Sequence, residues 1–102
     1  MAENYEDREF TIGTDTQQIS EEKTGATRRN VLVLTNTDRN ATGGVIYLAF
    51  GKEAVVGAGI PLYPTGTWSE TLDNRYNPTR LRVFAIASIA NTTLAMHERI
   101  EG

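Results

Sequence analysis

A chain of 102 residues, 39% hydrophobic and 8% aromatic, has room for one modest core, and its lack of cysteine excludes a disulfide framework and a thiolate metal site. The formal charge is −3, with seven acidic side chains against three basic ones in residues 1–28 and six against seven thereafter. That balance argues against nonspecific nucleic-acid binding, which needs a basic footprint. No apolar run reaches membrane-span length, and Met1-Ala2-Glu3-Asn4 has none of the build of a secretory leader, so a soluble chain not exported by its own leader is expected.

Residues 1–28 carry Tyr5, Phe10, Ile12 and Ile19 at no steady period, separated by polar runs such as Thr14-Asp15-Thr16-Gln17-Gln18. Ser20-Glu21-Glu22-Lys23 offers a helix start with no apolar stripe behind it. The segment reads as an acidic N-terminal arm, either disordered in the isolated chain or extended and ordered on a neighbouring subunit. In the second case Phe10-Thr11-Ile12 pairs as a short strand, and Tyr5, Phe10, Ile12 and Ile19 are its anchors. The division expected is an arm over 1–28 and a folded body over 29–102.

The body opens on Arg29-Asn30-Val31-Leu32-Val33-Leu34-Thr35-Asn36. Val31–Leu34 is apolar at every position and rich in β-branched residues, which predicts a central strand with both faces covered. Asn40-Ala41-Thr42-Gly43-Gly44 is a turn, and Val45–Phe50 is a second two-sided strand. Glycines 57 and 59 make Ala54–Ile60 an irregular or bulged edge. Pro61–Pro64 is extended, and Thr65-Gly66 follows as a turn with proline at its first central position. Thr67–Leu72 alternates, with Trp68, Glu70 and Leu72 on one side. Residues 73–80 form the longest loop. Leu81–Ile89 is a third buried strand, Asn91-Thr92 turns the chain, and Thr93–Ile100 closes it with Leu94, Met96 and Ile100 facing inward. Six or seven short strands without a convincing helix predict an all-β domain, a small antiparallel β-sandwich or jelly-roll-like barrel with an extended N-terminal arm.

Catalytic parts are sparse. His97 is the single histidine and shares parity with Thr93 and Ala95, so it reads as an edge or surface residue. With no cysteine beside it, neither a metal nor a cofactor is expected. Glu53, Glu70 and Asp73 include a formal carboxylate pair for sugar hydrolysis, but exposed turn and strand carboxylates are the commoner explanation. Gly57-Ala58-Gly59 resembles the start of a dinucleotide loop, yet Leu62 stands where glycine is needed and no helix follows. Asn40-Ala41-Thr42 and Asn91-Thr92-Thr93 are formal sequons that read as turn asparagines. Tyr63, Trp68 and Tyr76 are candidates for a sugar-stacking platform with Arg75, Arg80 and Arg82 as donors, against a packing role for the same rings.

The order Arg28-Arg29-Asn30-Val31-Leu32-Val33 with Thr35-Asn36, then Val45–Gly51, Gly59–Thr67 and Phe84-Ala85-Ile86-Ala87-Ser88 before a strand ending in Glu98, resembles a small β-domain of virion accessory proteins in tailed phages and related viruses. The resemblance covers about two-thirds of the chain and leaves out the acidic leader. It implies a non-enzymatic structural protein of the capsid-decoration, head-fibre or spike type, made in the host cytoplasm and carried on the virion. Its partners would be itself, as a symmetric homo-oligomer, and other capsid proteins, with no nucleic acid and no membrane. The competing expectation is a carbohydrate-binding module using Tyr63, Trp68 and Tyr76, and a weaker one is a hydrolase with Glu70 and Asp73.

Overall fold

The computed structural model describes residues 3–73 and 75–102; Met1, Ala2 and Asn74 lie outside the described residues. The strands are β1 (Glu3–Ile12), β2 (Gln17–Ser20), β3 (Arg28–Asn36), β4 (Ile46–Phe50), β5 (Ile60–Leu62), β6 (Thr67–Thr71), β7 (Val83–Ala87) and β8 (Thr92–Glu101). They form two four-stranded antiparallel sheets, ordered β1-β8-β3-β6 and β2-β7-β4-β5. Four of the pairings, β1·β8, β2·β7, β3·β6 and β4·β5, are those of one long hairpin rolled so that successive pairs fall in alternate sheets. The β3·β8 and β4·β7 contacts join them. This is the double-sheet jelly roll, and the all-β sandwich expected from the sequence is the fold observed.

Inward side chains of both sheets meet in one core, where Ile12, Leu32, Leu34, Ile46, Leu48, Val83 and Leu94 are fully buried. Each large apolar side chain so placed contributes roughly 1.5–3 kcal/mol relative to exposure. Two-sided burial holds for β4 and β7. The segment after β4 folds back over their outer face, so that Ala54 covers Ala49 and Ile86 beside Tyr47 and Phe84. The Ala54 N–H donates to Thr16 Oγ1 at 2.9 Å to hold it there. Gly59 ends that segment at φ +87°, where a Cβ would collide with the Leu48 carbonyl, which is why glycine is required before β5.

Two expectations are corrected here. Val31 and Val33 are half-exposed while Leu32 and Leu34 are buried: among the described residues no segment covers the outer face of β3 as Ala54 covers that of β4 and β7, and the strand is buried on one side only. The leader is not an arm. β1 pairs with β8 from Glu3↔Glu101 to Ile12↔Thr92, β2 pairs with β7, and Ile12 and Ile19 are 0% and 3% exposed in the subunit's own core. The division at residue 28 therefore cuts through one sandwich. Its sequence hides this because the inward positions of β1 are Asn4, Glu6, Arg8, Phe10 and Ile12, with an apolar signature only at the last two.

Candidate functional site

Six polar or charged side chains are buried among the described residues: Ser20, Arg29, Asn36, Glu70, Thr92 and Glu98. Burial of such groups is costly unless every donor and acceptor is matched. Arg29, 1% exposed, meets that demand in full. Its Nε donates to Glu98 Oε2 at 2.7 Å. Nη1 donates to the carbonyls of Thr79 at 2.7 Å and Leu81 at 2.9 Å. Nη2 donates to Ser20 Oγ at 2.7 Å and the Glu21 carbonyl at 2.8 Å. All five guanidinium protons are thereby used, and the Ser20 hydroxyl donates to Glu98 Oε2 at 2.7 Å.

Two β-bulges aim these groups. In β2 the register passes from Gln18↔Phe84 to Ser20↔Val83 with Ile19 as the extra residue. In β3 it passes from Arg29↔Ile100 to Val31↔Arg99 with Asn30 extra. An extra residue reverses the alternation. So Ile19 and Ser20 both face inward, and so do Arg29 and Leu32, which strict parity would place on opposite faces.

The other end of β3 carries Asn36, 0% exposed. Its Nδ2 donates to the carbonyls of Gly44 at 2.8 Å and Leu62 at 2.9 Å, and its Oδ1 accepts from the Asp38 N–H at 3.0 Å. Glu70, expected to be exposed, is 5% exposed. It accepts from Trp68 Nε1 at 3.1 Å and the Thr79 N–H at 2.8 Å. Burial first, and then the hydrogen bond to Glu70, push the Tyr76 hydroxyl above its ordinary value. Thr79 is thus gripped from both sides, its N–H by Glu70 and its carbonyl by Arg29.

The candidate residues are scattered. Ile12 and Ile19 belong to the core and Phe10 packs against it, so of the four anchors only Tyr5, 59% exposed, is displayed. Tyr63 sits in the turn before β6 and Tyr76 in the loop beyond its far end, about 17 Å of strand apart, with Trp68 packed against the core between them. No single platform forms. Glu70 and Asp73 stand in different surroundings: Glu70 is buried, whereas Asp73 is exposed and accepts from the Arg75 N–H of its own loop at 2.7 Å. His97 does lie on the outward face as expected, where its Nδ1 donates to Asp7 Oδ1 at 2.6 Å. Tyr5 stacks beside it at 6.4 Å, with the Arg99 guanidinium 4.7 Å from the Tyr5 ring.

No protein-family model and no curated protein matches the chain. Among solved structures it is similar to a chain from Bacillus endospore appendages, which form disulfide-linked pili. The TM-score is 0.64 at 16% identity, over 97% of this chain and 84% of that one. It is also similar to a chain of the cyanophage Pam1 capsid asymmetric unit, at a TM-score of 0.43 and 14% identity, over 97% and 82% of the two chains. What is shared with the first is the fold. The disulfide chemistry is not, because this chain has no cysteine.

Reading the sequence alone missed Ser20, Arg29, Asn36 and Glu98. For Glu98 a signal existed: on a strand whose Leu94, Met96 and Ile100 face inward, the same parity sends Glu98 inward too, and a buried carboxylate calls for a cation.

Proposed function

We propose that the protein is a non-enzymatic structural subunit, a jelly-roll block that self-associates and docks on a larger shell. It would be of the capsid-decoration or accessory-head kind that its sequence resembles. One observation carries this reading: the buried groups able to do chemistry are committed to holding the fold. Arg29 has no free donor, the Asn36 amide and the Glu70 carboxylate tie strands to loops, and Ser20 bridges Arg29 and Glu98. Such an interior gives a rigid block and leaves function to the surface. The likeness to a pilus-forming chain supports the reading, since it puts the same fold in a polymer. Without cysteine, contacts between copies of this chain would be noncovalent.

The carbohydrate alternative is not favoured, because the Trp68 indole N–H is taken by Glu70 and the two tyrosines stand apart. Multi-angle light scattering on the purified chain tests self-association. A mass rising with concentration above the 11.3 kDa of one copy is expected. A constant single-copy mass up to millimolar protein would contradict the proposal.

A further inference from the structure

We propose that a basic crevice at one margin of the β1-β8-β3-β6 sheet binds carboxylates from the β1 strand of a second copy, which lies at the opposite margin. The inference rests on the self-association reading and names its contact surfaces. The crevice holds about 430 Å³ and is lined by Arg28, Arg29, Asn77, Pro78 and Arg80, with no acidic side chain among them. Arg29 has no donor left. Arg28 makes one long contact, Nη2 to Glu101 Oε2 at 3.5 Å. Arg80 uses only Nη1, toward the carbonyls of Gly25 at 2.9 Å and Thr27 at 3.5 Å. Nε and Nη1 of Arg28 and Nε and Nη2 of Arg80 remain for a ligand, and guanidinium forks favour carboxylate oxygens.

The ligand is argued from charge complementarity within the chain. β1 presents Glu6, Asp7 and Glu9 against Arg8; Glu6 engages Arg8 at 3.0 Å and Asp7 Oδ1 accepts from His97 at 2.6 Å. Glu9 and the second oxygen of Asp7, whose side chain is 79% exposed, are therefore the groups offered to a second copy. Strand order sets β1 at one margin of the sheet and β6, from which the crevice loop departs, at the other. Asp7 and Glu9 pair with His97 and Ala95, whereas Arg28 pairs with Glu101, so the acidic stretch lies roughly 13–20 Å along the strands from the level of the crevice. A copy displaced across the width of the sheet and shifted along the strands by that distance brings acid against base without a two-fold axis. Such a head-to-tail contact closes a ring or grows a filament.

Light scattering on charge-reversed pairs tests it. Arg28→Gln/Arg80→Glu and Asp7→Lys/Glu9→Lys, each alone, should raise the concentration for half-association roughly tenfold, and an equimolar mixture should restore it, because each variant then offers the margin the other lacks. Inorganic phosphate should inhibit wild-type association more than chloride at equal ionic strength. Should a variant lose its cooperative melt, the neutral changes Arg80→Gln and Glu9→Gln, read together with phosphate competition, report on the same contact. Wild-type association unmoved by these changes and by phosphate, or a mixture no better than its components, would overturn this contact and leave self-association standing. A wild-type chain that never associates would overturn both.

Discussion

The two ends of β3 close the same sandwich with opposite chemistry. At Arg29 an ion pair, a hydroxyl and three loop carbonyls are drawn together; at Asn36 one neutral amide links β3 to the chain around Gly44 and Leu62. The first places a full charge where water is excluded, and its net contribution is small because desolvation offsets attraction. The second carries no such cost. Yet the charged end ties more chain, since the loops at residues 21–27 and 73–82 both end on it. A charge with five donors can organise two loops and a neighbouring strand, whereas an amide fixes two carbonyls and a turn.

Breaking each end sharpens the contrast. Arg29→Ala leaves the Glu98 carboxylate buried without its cation, and a loss of about 3–5 kcal/mol is expected by denaturant titration. The double change Arg29→Met/Glu98→Leu should cost less than Arg29→Ala while freeing both loops, seen as faster amide exchange around Thr79. Asn36→Ala strands two carbonyls and should cost about 2 kcal/mol, with exchange rising near Gly44 and Leu62 instead.

Thr65 sharpens the picture of the neutral end. It adopts φ 66°, a strained state for a β-branched residue, and its N–H donates to the Asn36 carbonyl at 2.9 Å. Thr65→Gly should add about 0.5–1 kcal/mol to stability, less than the strain relieved because glycine loses more backbone entropy on folding.

The smallest effects are in pH dependence. The Asn30 amide first, then the charge of Arg28, hold Glu101 below the usual carboxylate range. Its contribution is therefore complete above the unfolded value and fades as pH falls through the folded one. Glu101→Gln should flatten the acid limb of the stability profile. Tyr76 has the reverse sign, raised by burial and then by Glu70. It stabilises below its ordinary value of 10.0 and ceases to as pH climbs through the raised one. In a spectrophotometric titration Glu70→Gln should bring Tyr76 back toward its ordinary value.

The sandwich was legible where alternation is regular or where a short run is apolar throughout. β4, β6, β7 and β8, the turn at Pro64 and the glycine-marked edge before β5 all follow from pattern. The charged end of β3 was not, because two of the three strands that reach it, β2 and β3, are bulged and a bulge reverses the parity on which such reading depends. β1 was hidden for another reason: at Glu6 and Arg8 it faces a polar crevice that Ser20 and Glu98 also line, so most of its inward positions before Phe10 are charged and look like a solvated tail. The neutral end was missed because Asn36 sits in a run of turn residues, and a buried structural asparagine there has the same sequence as an exposed one.

The account stands on the leader being part of its own subunit. Hydrogen exchange on dilute, monomeric protein measures this most directly, through the amides of Phe10–Ile12 and Ile19. Protection comparable to that of Leu94 and Met96 in β8 is the expected result. Exchange at free-peptide rates across residues 3–20, with β8 still protected, would contradict it.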